Sequence, residues 1–82
     1  MNKYEGNDNS GNPKSDYVTK LEIMTDDVLF DLTEQKIFLS AYAANNPRSD
    51  YHWQCDACYD ECVRRKRPEI YDRAHKRVSQ GA

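Results

Sequence analysis

The sequence predicts an all-α fold: a small domain of three helices behind a disordered N-terminal tail. Three observations lead there. On a helix that turns about 100° per residue, Tyr51, Cys55, Cys58, Tyr59, Cys62 and Val63 fall in one stripe roughly 140° wide, while Asp56, Asp60 and Glu61 project elsewhere. Ile37, Phe38, Ala41, Tyr42 and Ala44 recur at the three-four spacing of a second buried helical face. Asn45-Asn46-Pro47 and Pro68 punctuate these runs with residues that stop or restart a helix.

The elements follow in order. Met1 to Pro13 is dominated by Asn, Gly, Ser and charge, which bury too little apolar surface to offset ordering entropy, so residues 1–17 are expected to be a disordered tail. Residues 18–82 are then a single small helical domain, near the size at which one core barely suffices. Tyr17 to Met24 alternates imperfectly, as a short strand or an extended lead-in would, but has no second strand to pair with. Thr25-Asp26-Asp27 supplies a cap and two acids for a helix N-terminus, and the first helix runs near 25–45 through Val28, Leu29, Leu32 and Ile37. Ser49 caps the second helix, near 49–66. Pro68 and Glu69 suit the first turn of the third, near 68–78, whose apolar stripe is Ile70, Tyr71, Ala74 and Val78. Ser79 to Ala82 should fray.

The three cysteines invite a second alternative, a small regulatory protein that holds zinc or an iron–sulfur cluster, and helix geometry weighs against it. Cys55 and Cys62 lie roughly 10 Å apart along an intact helix, whereas zinc–sulfur bonds are about 2.3 Å. One ion could take Cys58 with Cys62, or His52 with Cys55, only if a second element such as the one carrying His75 supplied the other ligands. The spacing matches no paired zinc pattern. The expectation is therefore no metal and no cofactor, with the cysteines as small buried apolar residues; His52, Cys55, Cys58 and Cys62 are the ligands if a metal is held. An odd number of cysteines also agrees with a reducing compartment.

Charge is divided unevenly. Residues 1–62 carry five Lys or Arg against twelve Asp or Glu, whereas residues 63–82 carry seven against two. The basic end can meet phosphates, which makes nucleic-acid binding an alternative, although only Tyr71 interleaves with the cations and no helix-turn-helix or sheet platform accompanies them. The other reading is that these cations complement a helix end and the acidic remainder of the same molecule. The acids Asp26, Asp27, Asp31, Glu34, Asp50, Asp56, Asp60 and Glu61 could equally steer toward a basic partner.

Nothing resembles a phosphate-cradling glycine loop, a nucleophile elbow or a paired-histidine metalloenzyme helix, so the protein is not expected to be an enzyme. His52 and His75 stand alone, with no nucleophile placed beside either. No run approaches the roughly 18 apolar residues of a membrane span, and the N-terminus lacks the apolar centre of a signal peptide, which predicts a cytoplasmic protein without membrane contact.

The stretch Asn45-Asn46-Pro47-Arg48-Ser49-Asp50-Tyr51-His52-Trp53-Gln54-Cys55, continuing through Arg77, resembles small uncharacterised accessory proteins of enterobacterial phages and prophages. The resemblance implies a small early protein in the host cytoplasm that binds a host or defence protein, or adjusts nucleic-acid metabolism. The expected role is noncatalytic binding to a cellular protein, with inhibition as its effect. Aromatic and arginine residues dominate interface hot spots, which nominates Trp53, Arg64, Arg65, Arg67, Tyr71 and Arg73, with Tyr42 and Tyr59 behind them. With about sixty ordered residues, a homodimer through an unburied helical stripe is also expected to be available.

Overall fold

The computed structural model describes residues 4–81. Among the described residues there are four helices and no strand: α1 (Lys14–Glu22), α2 (Asp26–Tyr42), α3 (Asp50–Arg64) and α4 (Pro68–Gly81). The all-α class holds, and the count is four rather than three.

The additional helix is α1, in the place expected to hold a strand or lead-in. Pro13 precedes it, Asp16 lies in its first turn and Lys20 in its last, both favourable to the helix dipole. At nine residues it is too short to persist alone. Packing supplies the rest: Leu21 is fully buried in the core, and Tyr17 meets Trp53 of α3 edge to face at 5.3 Å.

Residues 4–13 also depart from the expected disorder. The Asp8 carboxylate accepts from the backbone N–H groups of Ser10 and Asn12, both at 2.9 Å, and Lys14 N–H donates to Gly6 O at 3.0 Å. Gly6 and Gly11 take positive φ there, which a side chain would resist. This turn is fastened to α3: Asn9 N–H donates to the Asp50 carboxylate at 3.1 Å, Asn9 Nδ2 to Arg48 O at 2.8 Å, and Tyr4 Oη to Asp60 at 2.5 Å. The expected tail is therefore structured from Tyr4 onward; its residues 1–3 lie outside the described residues.

Helices α2 and α3 begin where the sequence places caps. Thr25 Oγ1 accepts from Val28 N–H at 3.3 Å, and Ser49 Oγ from Tyr51 N–H at 3.2 Å. At the end of α3, Arg67 N–H donates to Cys62 O and Lys66 N–H to Val63 O, both at 2.9 Å, closing a Schellman turn. That turn sets Lys66 at φ 60, a conformation that favours glycine. Pro68 then opens α4 directly.

Helix α3 packs on each of the others. Its buried face is Cys55, Ala57, Cys58 and Cys62, which joins Leu21, Leu29 and Ile70 in one cluster and Ile37 and Ala74 in the next. Thiols and methyl groups are small, so the neighbouring backbones come close.

One charged residue lies inside this frame. Glu61 is 4% exposed, and Arg64 and Arg65 close on its carboxylate at 2.7 and 2.5 Å. Hydrogen bonds from Arg64 hold the carboxyl below its ordinary 4.5, against burial that raises it and with Arg65 assisting. Folding therefore favours the ionised form; the stabilisation is present above 4.5 and lost as pH falls through the lower native value. Glu61→Gln should cost about 2 kcal/mol at neutral pH, below the 3–5 of a wholly buried pair because Arg64 stays half exposed. Urea unfolding across pH should show the wild type losing stability below 4.5 and the variant losing less. Lys66→Gly should raise stability by about 1 kcal/mol in the same assay by relieving the left-handed backbone.

Candidate interaction surfaces

The sequence-nominated residues do not gather in one place. Trp53 sits at the start of α3 beneath the N-terminal turn and α1. Its ring lies 5.3 Å from Tyr17 and 6.3 Å from Tyr4, Lys14 Nζ stands over it at 5.3 Å, and its Nε1 donates to Asp50 at 2.9 Å. Those contacts make it the half-buried anchor of the N-terminal segment.

Arg65 also turns inward, with a side chain only 13% exposed. It donates to Glu61, to Asp26 at 3.0 Å and to Leu21 O at 2.6 Å, so its expected exposure is corrected by the carboxylates and carbonyl that enclose it. Arg64 and Arg67 are more than half exposed but paired, Arg64 with Glu61 and Arg67 with Asp26 at 3.4 Å. Arg77 pairs with Glu34 at 3.3 Å, and the Arg73 guanidinium lies over the Phe30 ring at 5.5 Å. Arg64, Arg65, Arg67 and Arg77 of the basic segment thus meet acids of residues 1–62. Each of these contacts competes with a phosphate for the same guanidinium.

Cys55, Cys58 and Cys62 are all buried free thiols on the core face of α3. Burial pushes the Cys58 thiol up to about 11 and raises Cys55 and Cys62 as well. His52 is not beside them. Its Nε2 faces the carbonyl oxygens of Ala43 at 3.0 Å and Asn46 at 2.9 Å, and so carries the proton; Nδ1 meets Ser40 Oγ at 2.8 Å. The ring closes the turn after α2 as a second donor to carbonyls that already accept from the N–H groups of Asn46 and Ser49, a role that the sequence spacing did not reveal. Among the described residues, no three His, Cys, Asp or Glu side chains are grouped to hold a metal ion.

What remains outward on α3 and α4 is an aromatic row. Tyr59 and Val63, one turn apart, are 46% and 47% exposed. The Tyr59 ring meets Tyr71 at 5.0 Å edge to face, and Tyr71 stacks on His75 at 6.2 Å. Tyr71 is held from below, its Oη 3.9 Å from Cys55 Sγ. The exposed carboxylates Asp56 and Asp72 precede Tyr59 and His75 by three residues, on the same sides of their helices. A surface of this kind offers apolar contact, edged by Asp56 on α3 and by Asp72 and Lys76, four residues apart, on α4. Of the nominated residues it contains Tyr71, with Tyr59 from the second rank. Val63 and His75 were not nominated; the four-residue spacing of Tyr59 and Val63 was the available signal.

The chain matches no protein-family model, no curated protein and no solved structure. No helix among the described residues is long and apolar enough to cross a membrane.

The burial of the thiols has a direct chemical readout. Alkylation of native protein should label Cys58 at least tenfold more slowly than the urea-unfolded chain at the same mildly alkaline pH, because the thiolate is the reactive form. The native rate should climb as pH approaches 11. Mass spectrometry of quenched time points measures both.

Proposed function

We propose that this chain is a noncatalytic protein-interaction module that engages a cellular protein through the α3–α4 row. The observation that carries the reading is the outward placement of Tyr59 and Val63 beside Tyr71, an apolar ridge on a domain whose core is already closed without it. Interfaces favour such rigid aromatic side chains as anchors. The row suits a partner patch that is apolar at its centre, with a basic residue opposite Asp56.

Two further features support binding over other roles. The thiols are buried and His52 is committed to its carbonyls, while the exposed His75 lies on the row itself against Tyr71. The acids beside the row and the internal pairing of Arg64, Arg65, Arg67 and Arg77 oppose the nucleic-acid alternative. The resemblance to phage and prophage accessory proteins makes a host or defence protein the target of this reading, with inhibition as one outcome of binding.

Affinity capture from host extract tests it. Tagged wild-type protein should retain a defined protein in stoichiometric yield. The Tyr59→Glu, Val63→Glu double variant should lose at least tenfold of that retention while keeping its helical circular dichroism. Equal retention by the folded variant would remove the row from the model. Steeply salt-dependent retention of DNA or RNA in place of a protein would establish the alternative.

A further inference from the structure

Helix α2 is apolar on two sides. Leu29, Thr33 and Ile37 face the core. On the side away from them, Val28, Asp31, Gln35, Phe38 and Tyr42 repeat at three, four, three and four residues, the spacing of a coiled-coil seam. Val28 is 50%, Phe38 55% and Tyr42 82% exposed, and Ile23, in the turn before α2, is 81% exposed. Exposed apolar side chains gathered on one face in this way mark a contact surface.

We propose that a second copy of this chain covers it, with the two α2 helices packed antiparallel about a two-fold axis level with Thr33. In that register each seam residue meets a matching one. Val28 lies opposite Phe38 of the second copy, and Gln35 opposite Asp31, where amide can donate to carboxylate. Tyr42 reaches the Ile23–Met24 turn. The arrangement covers four of the exposed large apolar side chains, and Tyr59 and Val63 of the α3–α4 row are not among them.

Charge agrees with the register. Phe38 borders a groove of about 390 Å³ shared with Arg77 and Val78 of α4, and Arg77 keeps a 70% exposed side chain despite its pairing with Glu34. Arg77 stands level with Phe30 and Glu34 of its own α2, and antiparallel packing brings Asp31 of the second copy to that level. A parallel pair would set the two Asp31 carboxylates against each other. A helix of 17 residues is about 25 Å long, so the pair covers less than the roughly 800 Å² per partner of a standard interface. Association should accordingly depend on concentration.

Sedimentation equilibrium over a wide concentration range, with circular dichroism as the folding control, tests the dimer. Wild-type protein should pass from monomer to dimer, and Phe38→Glu and Tyr42→Glu should each raise the dissociation constant at least about tenfold. Tyr59→Glu should leave it unchanged, which separates this inference from the proposed target surface. Disulfide trapping tests the register, because the native thiols are buried. A mixture of Val28→Cys and Phe38→Cys chains should cross-link faster as the mixed pair than either chain does with itself. A monomer at every concentration, or a dimer indifferent to both glutamates, overturns the proposal; faster self-pairing of Val28→Cys overturns the antiparallel register.

Discussion

Much of the arrangement depends on Arg65. It follows α3 directly, and its guanidinium has three destinations: the Glu61 carboxylate one turn back, Asp26 in the first turn of α2, and the Leu21 carbonyl near the end of α1. One side chain therefore joins the end of one helix to the beginning of the next and both to α3. The planar fork of arginine suits this geometry; a lysine would offer one point charge where three directions are needed. Glu61 is buried as the counter-charge, because an unpaired guanidinium in this position would be expensive. The tie fixes the α1–α2 turn, and with it the direction in which α2 leaves.

The core face of α3 works with that tie. Cys55, Ala57, Cys58 and Cys62 give the helix a buried side with little volume, so α1, α2 and α4 all approach it. Bulkier residues would push the outer helices apart and lengthen the reach from Arg65 to Asp26. The same burial raises the thiols above their ordinary range and makes them apolar filling. Packing and reactivity thus have one cause.

The sequence was most readable where a helix presents a clean period or a cap. Thr25 and Ser49 start α2 and α3, and the cysteines lie on the core as their spacing required. By contrast, Tyr59 and Val63 of the same stripe, and Phe38, Ala41, Tyr42 and Ala44 of the face expected to be buried beside Ile37, are exposed. Helix α1 was hidden because its stability is tertiary: the apolar residues of Tyr17 to Met24 alternate locally, and only Trp53 and the core decide between strand and helix. The N-terminal turn was hidden for a related reason, since a composition of Asn, Gly and Asp suits disorder and Asx turns equally. Among the site residues, Tyr71 was legible as an aromatic at an α4 face, whereas Trp53 and Arg65 were not. A count of aromatics and arginines cannot tell which of them the rest of the chain will claim.

That competition for arginine also bears on function. A basic C-terminal segment read along the chain looks like a phosphate-binding arm, but folding brings Asp26 and Glu34 to Arg67 and Arg77, and Phe30 to Arg73. Each cation held by an acid of its own chain is one for which a phosphate must compete. The apolar residues show the opposite pattern: Tyr59 and Val63 on one side of the bundle and Val28, Phe38 and Tyr42 on another keep about half or more of their area open after the core has closed. Folding gives Arg64, Arg65, Arg67 and Arg77 acids of their own chain while these apolar side chains stay open, and the proposed binding role rests on that contrast.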